Sequence, residues 1–132
     1  MEKFILDTDI CIYWLKGSAN IENNIIRQGL ENIYITVITE CELFYGAFKS
    51  AKKDKNLAVI EDLKKKIRTL HTKEGVTYAY GEIKSDLEDK GQPLDDADLL
   101  IACIAISNNA TLVTNNTDHF KRIKELKLAN WK

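Results

Sequence analysis

The chain has 132 residues, 45% of them hydrophobic and 30% charged, the balance of one domain with its own core. No stretch approaches the roughly 20 consecutive apolar residues of a membrane helix, and the approach to the first apolar run, Met1-Glu2-Lys3, lacks the features of a signal peptide, so a cytoplasmic location is expected. The net charge of -1 says little about partners, yet the signs are segregated: lysines crowd Lys49 to Lys66 and recur at Lys121, Lys124 and Lys127. Those lysines bear on phosphate binding only if they flank acidic groups. Cys11, Cys41 and Cys103 are odd in number and sit in apolar context; they read as reduced core thiols rather than a disulfide framework or zinc knuckle.

In chain order, residues 3–6 form a short apolar run that predicts a buried strand, and residues 10–15 and 21–28 suit helices broken at Gly17-Ser18. Residues 33–37 are rich in β-branched side chains and predict a second strand. Thr39 is expected to cap a helix running to about residue 53, with Glu42 as its capping-box partner. Leu57, Ile60, Leu63 and Ile67 recur at helical spacing within residues 56–70, and residues 76–90 read alike before Gly91-Gln92-Pro93 stops them. A mostly apolar helix over Asp96–Ser107 and a third strand over residues 111–114 complete the pattern.

Short strands alternating with helices imply a mostly parallel sheet with helices on both faces. Ligands of such sheets bind outside the carboxyl ends of the strands. That rim would gather Asp7 after the first strand, Glu42 in the helix after the second, Asp98 in the first turn of the helix leading to the third, and Asn115, Asn116 and Asp118 beyond it. Carboxylates gathered in one cleft repel each other unless a cation neutralises them. The simplest such cation is a hard one with oxygen ligands, Mg²⁺ or Mn²⁺.

Five segments also carry a resemblance, in order along the chain: Leu6-Asp7-Thr8-Asp9, Thr39 to Ala47, Gly91 to Ala102, Leu112 to Phe120, and Leu126 to Trp131. Together they resemble PIN-domain ribonucleases, specifically toxins of the VapC type. The resemblance implies an α/β PIN-like three-layer fold over residues 1–132 and a Mg²⁺- or Mn²⁺-dependent endoribonuclease. It also implies a small antitoxin as partner, in a hetero-oligomer or beside a homodimer. By position Asp7, Glu42 and Asp98 match the family's acidic core; Asn116 stands where many relatives have an aspartate, with Asp118 the nearby acid that could compensate.

Hydrolysing a phosphodiester calls for an activated water and a cation near the developing charge, which one or two metals can supply. Asp7 and Asp98 are assigned as direct ligands, Glu42 as ligand or water-orienting base, and Asn116 with Asp118 as supporting groups. Thr8 and Thr114 would orient carboxylates through their hydroxyls. Plainer roles compete: Asp9, Asp95 and Asp96 as helix caps, Glu42 as mere partner of Thr39, and Glu40 facing solvent or a basic group. Rival functions are a noncatalytic PIN-fold binding module, a haloacid-dehalogenase-like phosphatase built on Asp7-Thr8-Asp9, which leaves Glu42 idle, and a receiver domain, which wants an Asp after the middle strand. Apolar positions such as Ile12, Phe44, Phe48, Leu57 and Ile60 exceed what one flank of a small sheet needs, so a groove for an antitoxin helix is expected.

Overall fold

In the computed structural model, which describes residues 2–132, the first strand is the central one. β1 (Phe4–Leu6) pairs with β2 (Ile33–Thr36) on one side and β4 (Thr111–Val113) on the other. β3 (Arg68–Leu70) and β5 (Lys127–Ala129) form the edges, and every pairing is parallel, as the alternation of strands and helices requires. The helices are α1 (Thr8–Leu15), α2 (Ala19–Gln28), α3 (Val37–Lys49), α4 (Lys53–Lys66), α5 (Glu74–Asp89), α6 (Asp96–Ser107) and the single turn α7 (Thr117–Phe120). The expected three-layer α/β arrangement is therefore present.

Both faces of the sheet are covered because its central strands are apolar at nearly every position and successive side chains point to opposite sides. Ile5, Tyr34 and Leu112 pack with α5 and α6, whereas Phe4, Leu6, Ile33, Ile35 and Val113 pack with α1 to α4 and Trp131. Helix α6 is the most deeply set of the helices, with Leu99, Ile101 and Ile104 fully enclosed. At about 1.5–3 kcal/mol for each such side chain, sliding α6 by even one residue is prohibitive. Asp98 in its first turn is consequently held in place.

Four local expectations are corrected. Residues 68–70 are the edge strand β3, not the end of a helix: Ile67 suits the helical phase of Leu63, but it caps α4 in an extended conformation and Arg68 pairs with Tyr34. The Arg68 guanidinium lies 5.1 Å from the centre of the Tyr34 ring and donates to its hydroxyl, a contact between segments far apart in sequence. Residues 127–129, whose pattern predicts no element, form β5 along β4. The helix after β2 starts at Val37 with Thr36 as N-cap, not Thr39, and it stops at Lys49 before α4 begins at Lys53. Cys41 is exposed on α3, whereas Cys11 and Cys103 are buried as expected; all three are free thiols.

Candidate active site

Asp7 ends β1 in a way that serves three purposes at once. Its N–H continues the sheet by donating to the Val113 carbonyl at 2.9 Å, and its side chain caps α1, with Oδ1 accepting from the Thr8 N–H at 2.9 Å. Oδ2 accepts from the Thr114 hydroxyl at 2.8 Å, so the residue after β4 fixes the carboxylate's orientation. Asp7 is only 6% exposed. Burial, then the charge of Asp9, push its pKa from 3.8 up to about 7; the hydrogen bonds from Thr114 and Thr8 oppose the rise, and Asp98 adds to it.

Glu42 arrives from the next strand. β2 passes into α3 without a loop, because Thr36 is both the last strand residue and the N-cap, its hydroxyl accepting from the Thr39 N–H at 3.1 Å. That junction places Glu42 where its Oε1 accepts from the Thr8 hydroxyl at 2.6 Å. The capping-box reading of Glu42 is thereby set aside. Thr8 Oγ1 also lies 3.1 Å from Thr39 Oγ1; with the single Thr8 proton given to the carboxylate, Thr39 is the donor in that pair. The orienting role expected of Thr8 and Thr114 is met by this geometry.

Asp98 completes the cluster from α6. Its pKa is raised by burial first, then by Glu42 and Asp95, against a lowering by His119, with a further rise from Asp9. Those couplings place the carboxylates of α1, α3 and α6 within one another's fields. Asp9, expected as a cap, sits inside α1 and does more: Oδ1 accepts from the Ile10 N–H at 2.7 Å and Oδ2 from the Asn115 N–H at 3.1 Å, tying α1 to the loop after β4. Asp95 occupies the N-cap of α6 without a side-chain cap bond, and Asp96 binds Lys84 and the Tyr80 hydroxyl instead of capping. Glu40 meets a basic group, Lys64, at 3.3 Å.

A family model described as the PIN domain matches residues 4–126. The chain is 41% identical to Ribonuclease VapC2 of Rickettsia felis over 97% of each chain, and 37% identical to the tRNA(fMet)-specific endonuclease VapC of Shigella flexneri over 99% of each. Its fold matches a crystal structure of VapBC2 from Rickettsia felis bound to a DNA fragment from their promoter, with a TM-score of 0.92, 40% identity and 98% of each chain covered.

The chain belongs to the PIN-domain family, in its VapC branch.

In this PIN domain the remaining predicted residues fall into two groups. Asn116 stays on the rim beside the acids: its N–H donates to Thr114 Oγ1 at 3.0 Å, and its amide Nδ2 meets His119 Nδ1 at 2.8 Å. His119 is thus tied to Asn116, and its charge opposes the rise in the Asp98 pKa. Asp118 is turned outward, its side chain 93% exposed and 3.2 Å from Lys121, and it takes no part in the bonds that join Asp7, Asp9, Glu42 and the two threonines. The hydroxyl bridge from Thr39 and the backbone bond from Asn115 to Asp9 were not foreseen either, since both arise only when distant segments meet.

The donor set suits a hard divalent cation. It is all oxygen, its negative charges raise one another's pKa values, and among the described residues no donor satisfies the Asp98 carboxylate. Among the described residues no three His, Cys, Asp or Glu side chains close around a point as a complete protein cage. An ion held by one or two carboxylates and several waters, the habit of Mg²⁺, needs no such cage.

Proposed function

We propose that the protein is the ribonuclease toxin of a toxin–antitoxin pair and that it hydrolyses RNA phosphodiester bonds at the Asp7, Glu42 and Asp98 cluster. The observation that carries this reading is the meeting on one rim of Asp7 after β1, Glu42 on α3 and Asp98 on α6, with Glu42 held by the Thr8 hydroxyl and Asp7 by that of Thr114. The relatives' names, ribonuclease and endonuclease, support it. A bound Mg²⁺ or Mn²⁺ would supply an activated water and stabilise charge developing on the phosphate oxygens. Asp7 and Asp98 would hold it. Glu42, with one oxygen fixed by Thr8, keeps its other oxygen to orient the attacking water or to join the ligands. Asn116, backed by His119, supplies a neutral oxygen or amide on the far side. Asp118 could contribute only after leaving Lys121.

Thr114 donates to Asp7 and also accepts the Asn116 N–H, so one hydroxyl joins the two sides of the site. A phosphatase of the haloacid-dehalogenase kind would leave Glu42 without purpose, against its short bond to Thr8.

The partner follows from an apolar groove between α1, α3 and α4. Ile12, Leu15, Leu43, Ala47, Val59 and Ile60 line it, together with Glu42. An amphipathic helix would bury there, and a cationic side chain following it would reach the carboxylates. The structural relative is itself a VapBC complex. Exposed Tyr45, Phe48 and Tyr78 supply further apolar surface for self-association into a dimer. The test is co-expression with the product of the adjacent small reading frame. Wild-type chain should co-purify with that product and lose its RNA cleavage; Ile12→Glu, at a position 39% exposed, should cleave RNA but escape capture. Capture without inhibition, or inhibition of the Ile12→Glu chain, would contradict this reading.

A further inference from the structure

A polyanion drawn to a cluster of carboxylates needs positive charge beside them. One such surface lies on the same rim, a depression of about 500 Å³ lined by Lys90, Gln92, Asp118, Lys121, Arg122 and Lys124. We propose that this depression binds the RNA backbone beside the scissile phosphodiester, with Lys121, Arg122 and Lys124 contacting phosphates; the inference rests on the ribonuclease reading and extends it to how the substrate is held.

The charge inventory favours an anion. Four cations face one carboxylate in the lining. Lys90 is 3.0 Å from Asp86 and Lys121 is 3.2 Å from Asp118, both as exposed pairs. Exposed pairs of this kind contribute about 0–1 kcal/mol, so a phosphate displaces them readily. Arg122 donates to the Pro93 carbonyl at 2.8 Å, a neutral acceptor that leaves its charge uncompensated. Among the described residues Lys124 has no carboxylate within 4.0 Å.

The lining also selects the class of ligand. Every residue in it is polar or charged, and its cationic ends suit a hydrated sugar-phosphate chain. Position decides the rest. Residues 90–95 lead directly into α6 and Asp98, and α7 follows the Asn115-Asn116 loop. On α7, His119 meets Asn116, whose N–H donates to the same Thr114 hydroxyl that binds Asp7, while the adjacent Asp118 lines the depression, so one short turn adjoins both the acids and the cations. An RNA strand passing over that turn would meet both.

The test pairs binding with cleavage. Fluorescence anisotropy of a labelled single-stranded oligoribonucleotide, in EDTA across a salt series, compares the wild-type chain with Lys121→Gln/Lys124→Gln and with Lys65→Gln as a surface-lysine control. Removing one phosphate-binding cation should flatten the plot of log affinity against log salt by about 0.7, so the double variant should bind several-fold more weakly with a slope shallower by about 1.4. Cleavage of the same RNA in Mn²⁺ should show the effect in KM and leave kcat largely intact. Equal affinity and slope in the double variant and wild type, or an equal weakening in Lys65→Gln, would overturn the proposal. A wild-type chain that binds RNA through these lysines but never cleaves it would overturn the ribonuclease reading and leave the binding surface standing.

Discussion

Asp7 is buried beside two other acids, and the consequence is a carboxyl that keeps its proton until about pH 7 when no cation is bound. The folded chain then retains a proton that the unfolded chain has already released above pH 3.8. Stability of the metal-free protein must therefore fall as pH rises between those two values and level off above them. The difference corresponds to at most roughly 4 kcal/mol, and the raised Asp9 and Asp98 act in the same direction. Asp7→Asn should remove this penalty: in EDTA at pH 8 its melting temperature should exceed wild type by several degrees, while near pH 4 the gain should vanish. Parallel melting curves for the two proteins across that pH range would show that Asp7 carries no such strain. Asp7, Glu42 and Asp98 were legible because each acid stands where an apolar run begins or ends. The roles of Thr39, Asn115 and His119 were not, since a hydroxyl, a backbone amide or a lone imidazole has no local signature and gains its role from a neighbour distant in sequence.

Among the elements, α6 and the central strands were readable because their apolar runs have only one place to go, a buried layer. The join between α4 and β3 was not, because Ile67 satisfies the helical period and the sheet-side core equally well, and the pairing of Arg68 with Tyr34 that decides it is long-range. The start of α3 misled for a related reason: Thr36 and Thr39 are both acceptable caps, and the chosen one is set by where β2 leaves the sheet. That choice aims Glu42. Thr36→Val should cost about 1 kcal/mol through removal of the cap and should also loosen the first turns of α3, lowering RNA cleavage well beyond the stability loss. Ser18→Ala is the matched control, since Ser18 caps α2 by accepting from the Ile21 N–H and touches no carboxylate of the site. Comparable melting shifts with comparable cleavage in the two variants would mean that the α3 cap does not position Glu42.

At the scale of the whole molecule, the parallel sheet is what turns scattered acids into a site. Every strand delivers its carboxyl end to one rim, and the helices that follow β1 and β2 start there, as does α6, which runs back toward β4. The apolar groove draws its lining from α1, α3 and α4 and the basic depression from the ends of α5 and α7, so the surfaces proposed for partner and for substrate share no residue. No helix among the described residues is long and apolar enough to cross a membrane. The most direct measurement is end-mapped cleavage of total RNA by purified wild type and Asp98→Asn, each with Mn²⁺ and with EDTA. Wild type should produce discrete new ends only with Mn²⁺, and Asp98→Asn should lose at least about 100-fold of that activity while melting no lower in EDTA. Cleavage that persists in EDTA, or that Asp98→Asn retains in full, would contradict a metal-dependent ribonuclease centred on these carboxylates.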